Sequence, residues 1–372
     1  MRLAGSDTMR REGFWQRLCL EPWLFGLLLL LSLVGVATVY SATGGDGAAA
    51  WAQTKRLLLG LVALLLVARC PPQWFHGLAL PGYGLCLLLL VGVHFFGTEV
   101  NGSQRWLVLG GVRLQPSELM KILLPLALAA VLAPARWPVG WLPTLLGLVL
   151  IALPVGLIVL QPDLGTALLV AAPGGFMLFL AGVRWRIIGL ILAAALASLP
   201  LLWMTMHDYQ RRRVLTLLDP EADPQGAGYH ILQSKIALGS GGWSGKGWLE
   251  GSQARLDFLP EAHTDFIFAV FGEEHGFLGT MLLLALYIAI CARGLMIAAT
   301  ASDRFGRLLV STLSVTVFVY VFINMGMVSG ILPVVGVPLP LMSYGGSSIL
   351  SLAVAFGLMM SIYAHRQNSS LQ

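Results

Sequence analysis

Acid at the edge of an apolar stretch raises the first chemical question in this chain. In EAHTDFIFAVFGEEHGFLG, residues 261–279, Asp265 stands close to Glu261 and His263. Glu273, Glu274 and His275 follow, and only then does the sequence become uniformly apolar. A carboxylate placed where water meets a membrane helix can act as a general base. The N–H groups of a helix start favour its charged form, and apolar neighbours such as Phe266, Ile267 and Phe268 favour the neutral form. A base needs a balance of that kind. The plain alternative is that Thr264 and Asp265 cap the helix, and spacing alone weighs the two readings evenly. Acid at membrane depth points to function by default, but Glu273 and Glu274 read first as structural groups paired with loop arginines.

Further stretches carry groups that could serve a sugar or a phosphate. In NGSQRWLVLGGVRLQPSELMKI, residues 101–122, Glu118 and Lys121 fall on one helix face and can pair. That pair reads equally as a packing device and as the polar floor of a cavity, with Lys121 open to an anion. Arg105 and Trp106 read as an interfacial anchor, with sugar stacking on Trp106 as the sharper alternative. In GYHILQSKIALGSGGWSGKGW, residues 228–248, Lys235 and Lys246 accompany a glycine-rich turn. Its N–H groups could cradle a pyrophosphate, or the stretch is a flexible hairpin. It fails the P-loop pattern at Ser240 and Gly247. Arg211 to Arg213 form a basic run of the kind that meets phospholipid headgroups. GILPVVGVPLPLMSYGGSS, residues 330–348, is too rich in proline and glycine for a helix. Irregular backbone at membrane depth is tolerated when it is buried in protein or lines a cavity, so Ser343 and Tyr344 are cavity candidates. Asp163 stands at a helix start and reads as a cap.

The elements that must position these groups follow from composition. The chain has 372 residues, 57% hydrophobic and 11% charged, with mean hydropathy +0.80. A soluble domain carries about 25% charged residues, so this is an all-α polytopic membrane protein. Runs long enough to span fall near 23–42, 57–69, 78–96, 116–133, 141–160, 165–182, 187–206, 277–297, 308–330 and 346–364. They predict a bundle of about ten transmembrane helices with a long extracytoplasmic loop, 207–264, between helices 7 and 8. The second run is short and carries Lys55 and Arg56 at its entry. A single domain over 23–364 is expected between cytoplasmic segments 1–22 and 365–372. Arg69, Arg136, Arg184, Arg186, Arg293, Arg304, Arg307 and Arg366 fall in loops that a cytoplasmic N-terminus places inside, which predicts that both termini are cytoplasmic. The net charge of +5 is dispersed between spans and implies no nucleic acid. Four scattered cysteines read as free thiols. Most polar material faces outward, whereas a transporter concentrates it at the bilayer midplane.

Taken together, the stretches above, with QPDLGTALLV and SKIALGSGGWSGKGW, resemble the SEDS family (shape, elongation, division and sporulation). The wording VGVPLPLMSYGGSS favours its elongation branch over its division branch. The resemblance runs from residue 101 to 348, and residues 1–22 match least. It implies a peptidoglycan glycosyltransferase in the bacterial cytoplasmic (inner) membrane, with its active site facing outward. The implied substrate is lipid II, an undecaprenyl-diphosphate-linked disaccharide peptide. The implied partners are a class B penicillin-binding protein, other elongation-complex proteins and membrane lipids. The family's essential aspartate falls on Asp265, its Glu and Lys on Glu118 and Lys121, and its tryptophan on Trp106. Asp265 is the expected catalytic base of an inverting transfer. The expected substrate-binding set is Arg105, Trp106, Glu118, Lys121, Lys235, Lys246, His263 and Ser343. A divalent cation (Mg or Mn) between Asp265 and the diphosphate is compatible with the pattern, but no His/Asp/Cys cluster demands one. A lipid II flippase and a non-catalytic scaffold are the alternatives.

Overall fold

The computed structural model describes residues 15, 18–100, 103–109, 112–206, 208–220, 226–256, 258–259 and 261–366. In chain order the helices are α1 Pro22–Ala42, α2 Gly47–Arg69, α3 Pro72–Phe96, α4 Pro116–Leu132, α5 Trp141–Leu160, α6 Leu164–Leu180, α7 Trp185–Thr205, α8 Asp208–Leu218, α9 Ala227–Ser240, α10 Ser252–Arg255, α11 Ile267–Ala299, α12 Arg304–Val328 and α13 Ser347–His365. Every apolar run read from the sequence is a helix. Seven of them are long and apolar enough to cross a membrane, and α6 and the first part of α7 are shorter apolar helices. The chain is a polytopic helical membrane protein.

Local chemistry sets many of the boundaries. Proline, which lacks an N–H that the first turn does not need, opens α1, α3 and α4. Acidic side chains accept a first-turn N–H at Glu21, Asp46, Asp163 and Asp303, the caps of α1, α2, α6 and α12.

Two expectations are corrected. The second span is not short: α2 starts at Gly47, because Asp46 caps it and an alanine run propagates it. Lys55 and Arg56 therefore lie within a helix rather than at its entry. The loop 207–264 holds α8, α9 and α10, so the first half of the glycine-rich stretch is a helix and not a hairpin. The all-α class holds, and one small sheet accompanies the bundle. Thr98–Val100 (β1), Ser103–Leu109 (β2) and Val112–Leu114 (β3) form a small antiparallel sheet in the order β1-β2-β3. Short strands alternating across tight turns carry too weak a pattern to stand out beside the apolar runs.

The core lies around α4, α12 and α13. The apolar windows of α12 and α13 are 67% buried, against 17% for α2. The outer helices present leucines such as Leu59, Leu66, Leu88 and Leu190 outward, the surface that lipid requires. Exposed Trp23, Trp74, Trp141 and Trp185 lie in the first turns of helices, and exposed Trp51 in the second turn of α2, where aromatic belts form. One end of the bundle gathers the sheet, α8–α10 and the segment 329–346. At the other end Arg304 on α12 donates to the carbonyls of Ala133 (3.4 Å) and Ala181 (2.9 Å), at the C-terminal ends of α4 and α6. There also Arg293 pairs with buried Glu21 at 2.5 Å.

Candidate active site

Asp265 lies at the loop-bearing end, half-buried, immediately before α11. Phe266 is the N-cap of that helix, and no side chain caps it. Thr264 turns its hydroxyl back to Glu261 Oε2 at 2.7 Å. The segment is held through its backbone. Asn324 on α12, fully buried, donates from Nδ2 to Asp265 O at 2.8 Å and to Val337 O at 2.7 Å. Ser343 Oγ donates to Thr264 O at 2.6 Å and accepts from Leu339 N at 2.7 Å. Tyr344 N donates to His263 O at 2.9 Å, and the two rings meet edge to face. Gln53 Nε2 on α2 donates to Ser343 O at 3.0 Å. A Cβ on Gly336 would stand 3.2 Å from Asp265 Oδ2, so the glycine gives the carboxylate its room. Glu261 (φ 53°) and Leu341 (φ 58°) flank this arrangement in a left-handed conformation that bulky residues rarely adopt. The structure thus brings His263 and Ser343 to Asp265, as framework rather than as exposed ligands.

Helix α11 is two helices. Gly276 has φ 63° and ψ −162°, and the chain breaks there. The break lies at one of the two glycines, Gly272 and Gly276, at which the length of the stretch allows it. The glycine-rich segment 241–247 closes it. Lys246 N and Gly247 N donate to Glu273 O and Glu274 O at 3.0 Å each. Gly242 O and Trp243 O accept from Phe277 N (2.8 Å) and Leu278 N (3.1 Å). The open carbonyls of one half-helix and the open N–H groups of the next are both satisfied, as burial demands. The N–H groups that could have cradled a phosphate are engaged by carbonyls. Gly245 (φ 83°) lies so close that a Cβ would overlap Glu274 O.

The acids of this half-helix are structural. Glu273, fully buried, receives Lys246 Nζ at 2.6 Å, Ser252 N and Oγ at 2.9 Å, and Gln253 N at 3.1 Å. Glu274 accepts from the Ser41 hydroxyl and from Leu249 N at 3.2 Å. The partner is a lysine, not the loop arginine expected from the sequence.

Glu118 and Lys121 form the expected pair at 2.6 Å, both buried, with Tyr320 OH on Lys121 and Ser351 Oγ on Glu118 Oε2 at 2.8 Å. The void beside them measures about 10 Å³, too small for a phosphate. In this conformation the pair fixes α4 against α12 and α13. Asn324 lies one turn above Tyr320 on α12, so a polar column links the pair to the backbone of Asp265. Arg105 on β2 pairs with Asp163 at 3.3 Å and reaches Pro162 O at 3.4 Å. Asp163 caps α6 through Thr166. Trp106, on β2, pairs across to Thr98. Lys235 lies exposed on α9, its side chain over Gly330. Arg211 donates to the carbonyls of Trp203 (2.9 Å) and Met204 (2.7 Å) at the end of α7. The side chains of Arg212 and Arg213 lie outside the described residues. Sequence reading did not single out Asn324 or Gln53. A buried amide within an apolar run was the available signal for Asn324.

An apolar groove of about 550 Å³ runs between α1 and α2, with Leu341 and Ile349 in its wall. Those two residues bracket the turn that holds Ser343 and Tyr344. A second apolar groove of about 420 Å³ lies across α1 against α11, and Trp248 lines both. Among the described residues no group of three His, Cys, Asp or Glu side chains gathers as a metal cage. A divalent cation at Asp265 would take its other ligands from a diphosphate and water.

A half-buried carboxylate before a broken helix, held by irregular backbone whose turn also walls an apolar groove, defines a membrane-embedded protein. The chain belongs to the FtsW/RodA/SpoVE family, whose model, described as a cell cycle protein, matches residues 15–368. It is 50% identical over 363 residues to the peptidoglycan glycosyltransferase MrdB of Escherichia coli (strain K12), covering 97% of this chain and 98% of that protein. It is 37% identical over 362 residues to a probable peptidoglycan glycosyltransferase FtsW of Trichlorobacter lovleyi, covering 91% and 93%. Among solved structures it is similar to a chain of a peptidoglycan synthase complex that coordinates polymerization and crosslinking, with TM-score 0.80, 34% identity, and 93% and 98% of the two chains covered. The rod shape determining protein RodA of Thermus thermophilus gives TM-score 0.70 and 31% identity over 92% and 96%.

Proposed function

We propose that the chain is a peptidoglycan glycosyltransferase that polymerises lipid II at the outer face of the bacterial cytoplasmic membrane during cell elongation. Both termini are then cytoplasmic. Asp265 accepts the proton of the acceptor's N-acetylglucosamine 4-hydroxyl. That oxygen attacks C1 of the donor's N-acetylmuramic acid, the bond from C1 to the diphosphate oxygen breaks, and undecaprenyl diphosphate leaves from the opposite side. An α linkage becomes β, and Asp265 returns its proton to water. The observation that carries this reading is the position of Asp265. It stands half-buried at the start of a half-helix, at the end that bears the loops, and its segment is bonded to the turn whose Leu341 and Ile349 line the groove of about 550 Å³. The groove suits part of a long lipid tail, while the sugars remain in water. Asp265 would be the protein ligand of a divalent cation, which would supply positive charge for the leaving diphosphate. The relatedness to a synthase complex supports a class B penicillin-binding protein as the crosslinking partner.

The test is Asp265→Asn, purified with its fold intact and assayed with lipid II alone and with the partner. Glycan synthesis should fall by roughly 10²–10⁴-fold, the worth of a general base, with lipid II still bound. Undiminished polymer overturns the assignment. Loss of polymer with lipid II still moved across vesicles identifies a base in an enzyme that also translocates, and movement without polymer in the parent protein identifies a flippase.

A further inference from the structure

We infer that Arg56 binds the diphosphate of the lipid-linked substrate, at the junction between the apolar groove and Asp265. This rests on the proposed substrate and adds a residue that sequence reading assigned only to a helix entry. On α2, Thr54 and Leu57 line the groove of about 550 Å³, and Arg56 beside them in the chain turns to the 343–346 turn, its Nε 3.9 Å from a Cβ placed on Gly346. Its guanidinium carbon stands 3.9 Å from the centre of the Tyr344 ring. Tyr344 in turn hydrogen-bonds to His263 O at 2.9 Å, two residues from Asp265. A substrate with its tail in the groove and its sugar at Asp265 carries its diphosphate past Arg56.

The electrostatics point the same way. Several buried or half-buried cations of this end have anionic or carbonyl partners: Arg105 has Asp163, Lys121 has Glu118, Lys246 has Glu273, and Arg211 has two carbonyls. Arg56 Nη1 is buried with no hydrogen-bond partner. A buried charged donor left unpaired is costly, and a phosphate oxygen satisfies it. Stacking on Tyr344 fixes the guanidinium plane, and a planar guanidinium is the group that matches phosphate oxygens best.

The experiment uses the full chain in nanodiscs and undecaprenyl diphosphate as the probe, with undecaprenol as the uncharged control. Arg56→Gln should bind the diphosphate at least about tenfold more weakly, the worth of one hydrogen bond to a charged group. Undecaprenol binding should not change, and Arg56→Lys should recover part of the loss. In polymerisation the loss should appear as a raised KM for lipid II. A measurement on the parent protein needs no variant: undecaprenyl diphosphate, and not undecaprenol, should protect Arg56 from phenylglyoxal, read by peptide mass spectrometry. Equal affinity of Arg56→Gln and parent, or equal labelling of Arg56 with and without the diphosphate, overturns the proposal. Asp265→Asn separates the two readings: an active Asp265→Asn enzyme would sink the base assignment without touching the Arg56 result.

Discussion

At the scale of single residues, a carboxylate can be positioned through its main chain. Asn324 donates to Asp265 O and Val337 O from one buried nitrogen, so it ties the base to the loop that forms the wall of its site. Asn324→Ala removes both bonds and leaves two carbonyls unpaired. Turnover should fall about ten- to hundredfold with KM within about twofold, because small misplacements of a reacting group are costly. A steady-state KM and kcat measurement checks this, and a proportional loss of bound lipid II would argue against it. The sequence marked Asp265, because an acid beside an apolar helix is conspicuous. Asn324 was not marked, because one amide in a long apolar run does not reveal whom it faces. The same limit applied to Lys246. Its charge suggested a phosphate, and its neighbour in space is Glu273.

At the scale of elements, the decisive feature is the break in α11 and the segment that closes it. A broken helix leaves open N–H and C=O groups, and in a membrane these must be satisfied by protein. Segment 241–247 does so through four backbone hydrogen bonds to Glu273, Glu274, Phe277 and Leu278. Gly245→Ala forces a side chain against the Glu274 carbonyl at a φ of 83°. Conformation alone should cost about 1–3 kcal/mol, and the clash disturbs the closure as well. The melting temperature should drop, and the amides of Phe277 and Leu278 should exchange faster with deuterium. Gly242→Ala is the control. It has φ 56° with nothing within 4 Å of a Cβ, so it should lower stability without exposing those amides. The 28 residues from Asp265 to Arg293 are more than a bilayer core needs, which allowed either a continuous helix rising above the core or a break near Gly272 or Gly276. What fills the break was not legible, because the contact joins residues far apart in the chain through backbone groups that every residue shares.

At the scale of the whole molecule, the two ends of the bundle differ in kind. One end carries sheet, short helices and Asp265, and the other is closed by arginine on helix carbonyls and by Glu21–Arg293. Exposed Ser244 and exposed Arg136 lie at opposite ends. With the four native cysteines replaced, Ser244→Cys should react with a membrane-impermeant maleimide in intact cells and Arg136→Cys should react only after lysis. The reverse pattern would turn the protein over and remove Asp265 from the outer face. The amino-acid order alone specified the class of molecule, the number and approximate limits of its apolar helices, and the acid at the mouth of one of them. These follow from local quantities, namely the apolar length that lipid demands, the residues that start helices and the basic residues between spans. Which polar groups meet was set by packing. The engagement of Lys246 and Arg105, the hold of Asn324 on Asp265 and the stacking of Arg56 on Tyr344 join elements distant in the chain. Each of those charges could have served a ligand, and its role was decided by whether the fold had already supplied it with a partner.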